Sequence, residues 1–140
     1  MRIRILVCAG LLLSSSLGWA EADQRQWVKL PEMMQAHMLA NMRHHLETIN
    51  LILLQLSAGE LDKAADTAEQ NLGMSSLDKH GAEHLAKFMP EQMRETGTRM
   101  HHAASRFALK AQEGDVLPAY AALHEITAAC VACHAAYRIR

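Results

Sequence analysis

The chain has 140 residues, enough for one ordinary domain and too few for two. Half of the residues are hydrophobic, but only 4% are aromatic and nine are methionine. This composition favours a helical bundle with an aliphatic core over a β-fold, whose strands are rich in β-branched and aromatic residues. A formal net charge of −1 gives no basic surface of the kind that binds nucleic acid or an anionic membrane.

The first twenty residues are predicted to be a signal peptide. Arg2 and Arg4 precede an apolar run over residues 5–13, and small residues then allow cleavage after Ala20 or Ala22. The run is shorter than the roughly 20 apolar residues that a membrane-spanning helix needs, so we expect no stable membrane insertion. We therefore expect a protein exported to the periplasm, with one domain over residues 21–140.

Two helices are predicted in the first half of the mature chain, after a polar and frayed stretch at residues 21–29. The first begins at Pro31 and continues to about Leu56, and Gly59 ends it. Its predicted apolar stripe consists of Leu39, Met42, Leu46, Ile49, Leu53 and Leu56. The second runs from Glu60 to Leu72.

Two further long helices are predicted in the second half. Residues 73–89 have an irregular pattern that allows only a turn or two of helix, near residues 84–88. The third long helix runs from Pro90 to about Glu113, and Asp115 is the predicted N-cap of the fourth. The predicted inner face of the fourth consists of Val116, Tyr120, Leu123, Thr127, Cys130, His134 and Tyr137.

The last helix carries the sequence C-x-x-C-H at residues 130–134, a spacing typical of covalent haem c attachment. On a helix, Cys130 and Cys133 lie on one face, within reach of the two vinyl groups of one porphyrin, and His134 can meet the iron from the same side. A lone C-x-x-C is also found in redox dithiols and in half zinc sites. The histidine that follows favours haem.

The motif continues Ala135-Ala136-Tyr137-Arg138, and this tail on the last helix resembles the cytochrome c′ family, the class II c-type cytochromes. The resemblance implies an antiparallel four-helix bundle enclosing one haem c, with thioether bonds to Cys130 and Cys133 and His134 as the proximal ligand. It also implies that Arg138 lies close to the haem. A favourable charge at a helix C-terminus is an equally good explanation of Arg138. Homodimers formed through the first two helices are common in that family.

The sixth iron ligand distinguishes two functions within the resemblance. Met38, Met42 and His45 share one face of the first helix, and Met42 lies closest to the position that faces the haem in the family. Met42 is the candidate ligand and Met38 the alternate, while His45 would give bis-histidine ligation. A ligated iron predicts a carrier of single electrons between periplasmic redox proteins. An open site predicts binding of small gases such as NO or CO.

The remaining histidines are expected on the solvated surface. His80 and His84 have the i, i+4 spacing that can chelate a divalent ion, and a His-rich metal-binding bundle is a third possible function. We find no Ser-His-Asp set, paired carboxylates or phosphate-binding glycine loop in the sequence. Catalysis by the polypeptide itself is therefore not expected.

Overall fold

The computed structural model describes residues 22–140, and the predicted signal peptide lies outside them. The described chain is mostly helical, which confirms the all-α class. The helices are α1 (Glu32–Ser57), α2 (Leu61–Asn71), α3 (Ala82–Ala86), α4 (Glu91–Gln112) and α5 (Val116–Ala136). A single turn of 3-10 helix spans Met74–Ser76, and two short strands are β1 (Gln26–Trp27) and β2 (Tyr137–Arg138).

The helix boundaries follow the chemistry of the flanking residues and confirm the sequence prediction to within one or two residues. Pro31 and Pro90 stand immediately before α1 and α4, where a missing N–H costs nothing. At the start of α5 the Asp115 carboxylate accepts a hydrogen bond from the Leu117 N–H at 3.2 Å. Gly59, with φ of +74°, adopts the left-handed conformation that commonly ends a helix.

The main core lies where α1, α2, α4 and α5 pack in chain order, α1 on α2, α2 on α4 and α4 on α5. Small side chains dominate it and allow the helices to approach closely, with Phe107 as its largest fully buried member. Its buried residues are Ile52, Leu56, Ala64, Ala65, Ala68, Leu72, Met100, Ala103, Ala104, Phe107, Ala108, Ala111, Ala119, Leu123 and Ile126.

The buried face of α1 differs from the predicted stripe. The buried residues are Met38, Thr48, Ile52 and Leu56, whereas Leu46 is 71% exposed. Each helical residue advances about 100°, so the predicted stripe lies to one side of the buried line. Leu56 belongs to both sets. The rest of the buried line was hidden in part because it includes the polar Thr48, which donates its hydroxyl to the His44 carbonyl at 2.8 Å.

The buried face of α5 is displaced in the same way. Ala119, Leu123 and Ile126 are buried, whereas Tyr120 is exposed and His134 is too. Of the predicted line, Leu123 is buried and Val116 and Cys130 pack against the core, so the prediction is right for these three residues and wrong for Tyr120 and His134. Alanines on the core face carry a weak hydrophobic signal, which explains the error.

The stretch at residues 21–29 is not frayed over its described part, which corrects the sequence prediction. β1 pairs in parallel with β2, and the Val28 N–H donates to the Arg138 carbonyl at 2.8 Å. Val28 is buried in a second, smaller core cluster, with Met38, Leu85 and Met93. The start of the described chain is thus tied to its end.

Among the described helices, α5 is long and apolar enough to cross a membrane by length and composition, with a mean hydropathy of 1.4. A core helix of a soluble protein can meet the same criterion, although only 17% of the apolar window in α5 is buried. One side of α5 packs against α4.

We predict that Phe107→Ala lowers the free energy of unfolding by about 3–5 kcal/mol, because it opens a cavity in the tightly packed core. Leu109→Ala is the matched control on the same helix. Leu109 is 66% exposed, so its truncation should change stability by no more than about 0.5 kcal/mol. Urea unfolding followed by circular dichroism measures both, and equal losses would contradict the described packing of α4.

Candidate functional site

The two cysteines of the C-x-x-C-H motif lie on the core side of α5. Both are free thiols and both are half-buried. Cys130 packs against the main core, and Cys133 packs against the second cluster. The two thiols therefore border the bundle interior near the end of α5.

Burial raises the pKa of both thiols. For Cys130, burial outweighs a hydrogen bond from its own backbone that acts in the opposite direction. For Cys133, burial is the larger cause and the neighbouring Cys130 adds to it. Reactive redox dithiols have a lowered thiol pKa, so this pair lacks the electrostatics of a dithiol oxidoreductase.

His134 is exposed on α5, away from the ion pair that joins α5 to α4 at the surface. In that pair the Arg106 guanidinium lies 2.6 Å from the Glu125 carboxylate, and both side chains are more than half exposed. Nine residues separate Glu125 from His134, about two and a half helical turns, which puts them on opposite sides of α5. The imidazole of His134 is therefore not part of this surface contact.

The side of α1 that carries Met42 turns toward the end of α5. Gln35 donates its side-chain amide to the Ile139 carbonyl, just beyond α5. Met42 lies two turns after Gln35 on the same side of α1, followed by Leu46. We use the name α1–α5 seam for two partly exposed flanks, one on each helix, and its residues are Leu39, Met42, Leu46, Ile49 and Leu53 on α1 with Tyr120, Thr127, Val131 and His134 on α5.

The seam is apolar but incompletely covered. Met42 is 37% exposed, Leu46 is 71% exposed and Val131 is 69% exposed. The extensive helix contacts in the described chain join α1 to α2, α2 to α4 and α4 to α5, and α1 with α5 is not among them. Large apolar side chains exposed along one seam commonly mark a ligand or partner surface.

The residues present fit a covalently attached haem. Two unpaired thiols stand one turn apart on one face of a helix, and an exposed imidazole follows on the adjacent flank. The donor set therefore has the chemistry that the sequence motif predicts.

The structure places Arg138 beyond the last helix. α5 ends at Ala136, so Arg138 lies in β2 instead of in a helical turn after His134. Its guanidinium carbon is 5.9 Å from the Trp27 ring centroid, within cation–π range, and its Nε lies 3.6 Å from the Asp23 carboxylate. Arg138 is thus held near the motif by the start of the described chain.

Sequence reasoning missed the residues that surround Arg138. Arg25 donates to the His134 carbonyl at 3.4 Å and pairs with Asp23 at 2.7 Å. Hydrogen bonds from Arg25, and to a smaller degree the charges of Arg25 and Arg138, hold the pKa of Asp23 at about 2. One sequence signal could have indicated that this stretch is packed. Trp27 and Val28 form an apolar pair inside an otherwise polar stretch.

The expectation that the histidines are solvated is wrong for part of the set. His84 and His102 are exposed, but His80 and His101 are buried, and His45 is half-buried beside them. Within residues 22–140, no group of three or more His, Cys, Asp or Glu side chains has an arrangement that could hold a metal ion. His80 and His84 do not share one environment, since the first is buried and the second exposed.

Compared with models of known protein families, with curated proteins and with solved structures, the chain matches none of them.

Proposed function

We propose that this protein is an exported c-type cytochrome that carries single electrons through one haem c in a four-helix bundle of the cytochrome c′ type. The observation that carries the proposal is the position of C-x-x-C-H. Its two thiols border the core at the end of α5, and its histidine is exposed beside them. A haem bound there would supply the ferric–ferrous couple.

In this proposal the residues of α5 hold and orient the cofactor. Cys130 and Cys133 form its two covalent anchors, and the helix between them fixes their spacing. His134 is the proximal iron ligand. The hydrogen bond from the Arg25 guanidinium to the His134 carbonyl supports the final turn, and Arg138 supplies a positive charge beside it.

Of the candidate sixth ligands, which are Met42, Met38 and His45, the proposal favours Met42. Gln35, two turns before Met42 on the same side of α1, contacts Ile139 just beyond α5, so this side of α1 turns toward the end of α5. Partial exposure leaves the Met42 thioether free, whereas Met38 is already buried in the second core cluster, against which Cys133 also packs.

The alternative function is binding of a small gas at an open sixth position. The neighbours of Met42 on the seam support it, because Leu39 and Leu46 are apolar and could screen an iron atom without binding it. A thioether ligand favours the ferrous state and excludes external ligands, which suits electron transfer. The sixth ligand therefore distinguishes the two functions. A ligated iron would exchange electrons with periplasmic redox proteins, and an open site would bind a gas.

We predict that Cys130→Ala and Cys133→Ala each lose or weaken covalent haem attachment in a host that matures c-type cytochromes. Each variant removes one of the two thioether bonds. Val131→Ala is the matched control, since it lies between the cysteines and preserves their spacing. Haem staining of denaturing gels measures retention. Full retention in both cysteine variants would contradict the assigned anchors.

We predict that His134→Ala leaves the haem tethered but changes its absorption spectrum, because the proximal ligand is lost. His124→Ala is the control, an exposed histidine on the same helix. If the His134 variant has the spectrum of the unmodified protein, another histidine must bind the iron.

We predict a low-spin haem in the unmodified protein, and a high-spin haem that binds carbon monoxide rapidly in Met42→Ala. Met38→Ala should stay low-spin while losing about 2–5 kcal/mol of stability, because Met38 is a core side chain. Optical spectra with and without carbon monoxide test both variants. A spin change only in Met38→Ala would make Met38 the ligand. A five-coordinate unmodified protein would favour gas binding.

A further inference from the structure

Residues 73–89 form an irregular cover over one end of the molecule. The cover contains the 3-10 turn and α3, and it passes from α2 to α4. Its residues Leu85 and Met89 belong to the second core cluster, against which Cys133 also packs. The cover and Cys133 therefore share one packed cluster.

Hydrogen bonds to backbone carbonyls hold the cover against α1 and α4. On α1, the Asn41 amide donates to the His80 carbonyl at 2.9 Å, and the His37 ring nitrogen lies 2.8 Å from the same oxygen. On α4, His101 Nδ1 is 2.7 Å from the Leu72 carbonyl at the start of the cover. Two of these contacts meet at one residue, His80.

Three imidazoles meet where the cover contacts the two helices. The ring centroids of His45 and His80 are 4.7 Å apart, those of His80 and His101 are 5.5 Å apart, and those of His45 and His101 are 6.2 Å apart. Each comes from a different element, α1, the cover and α4. The Nε2 atom of His45 is buried and has no hydrogen-bond partner.

The described surroundings of His45 and His80 disfavour a positive charge on either ring. Burial, and then the imidazoles of His80, His101 and His44, lower the pKa of His45 to about 3. Burial lowers the pKa of His80 to about 4, with smaller contributions from nearby basic groups, which are His101, His44, His37 and Lys79.

The pKa of His101 is shifted in the same direction. Burial lowers its pKa and His102 adds slightly, although the Leu72 and Gly73 carbonyls oppose the shift. Among the described residues, no carboxylate contributes to the shifts of the three imidazoles. Glu47 is paired with His44 at 3.9 Å and is largely exposed. A proton on any of the three rings therefore has no counter-ion to stabilise it.

We propose that His45, His80 and His101 form an acid-operated latch whose protonation releases the cover at residues 73–89 from α1 and α4. The neutral imidazoles pack together and keep the cover closed. When they become charged, they repel one another and require water, which they reach only in the open state. This device is separate from the proposed electron-transfer function, because it rests on the histidines alone.

The sign of the pH dependence follows from linkage. An exposed histidine has a pKa near 6.5, and the closed state holds His45 and His80 well below that value. The open state therefore binds more protons at pH values between about 4 and 6.5. Closure is complete above pH 6.5 and weakens as the pH falls through this window, by up to about tenfold per pH unit for each histidine.

Hydrogen exchange of the holoprotein, read by mass spectrometry at pH 7.5, 6.0 and 5.0, tests the latch. After correction for intrinsic exchange rates, peptides from residues 73–89 should lose protection by at least tenfold from pH 6.0 to 5.0. Peptides from the α2–α4 core should lose much less. Unchanged protection of the cover, or an equal loss everywhere, would overturn the proposal.

His45→Leu separates the latch from general acid sensitivity. The Nε2 atom of His45 has no partner, so the substitution removes a proton site without removing a hydrogen bond from that atom. In His45→Leu, the loss of protection of the cover per pH unit should be smaller than in the unmodified protein by a factor of up to about ten. The exposed control His102→Gln should lose protection as the unmodified protein does. An unchanged response in His45→Leu would contradict the proposal.

A Zn²⁺ titration at pH 7.5 completes the test. Added Zn²⁺ alone should leave protection of the cover unchanged. If it increases protection in the unmodified protein but not in His45→Leu, the cluster is a metal site and the latch proposal is wrong.

Discussion

The fixed spacing of three side chains on one helix constrains the rest of this structure. Cys130, Cys133 and His134 cannot move relative to one another while α5 remains helical, so the rotation of α5 about its axis decides what they face. Packing of Ala119, Leu123 and Ile126 in the core sets that rotation. As a result, both thiols border the interior and the imidazole is exposed.

The remaining elements support the end of α5 from two directions. The start of the described chain pairs with β2 and places Asp23, Arg25 and Trp27 around the segment that follows the motif. From the other direction, residues 73–89 contribute Leu85 and Met89 to the cluster beside Cys133. The C-x-x-C-H motif is exposed in part, and these two groups of contacts pack around the end of α5. Such an arrangement limits the freedom of any group bound to the two cysteines.

Much of this arrangement could be predicted from the sequence, and the failures have physical reasons. Prolines, glycines and Asp115 predicted the helix boundaries because their effects are local. The faces of α1 and α5 were misjudged because Thr48 and several alanines, which carry little hydrophobic signal, occupy buried positions. The burial of His80 and His101 depends on contacts between distant elements, which no local pattern reveals. The strand pair likewise joins opposite ends of the described chain.

The central claim is that the two cysteines of α5 carry a covalent haem, and peptide mapping of the purified protein tests it most directly. Trypsin should release a peptide that spans residues 111–138, between the cleavage sites at Lys110 and Arg138. After expression in a host that matures c-type cytochromes, that peptide should carry the mass of one haem and contain no free thiol. The unmodified peptide mass, with both thiols open to alkylation, would contradict the account.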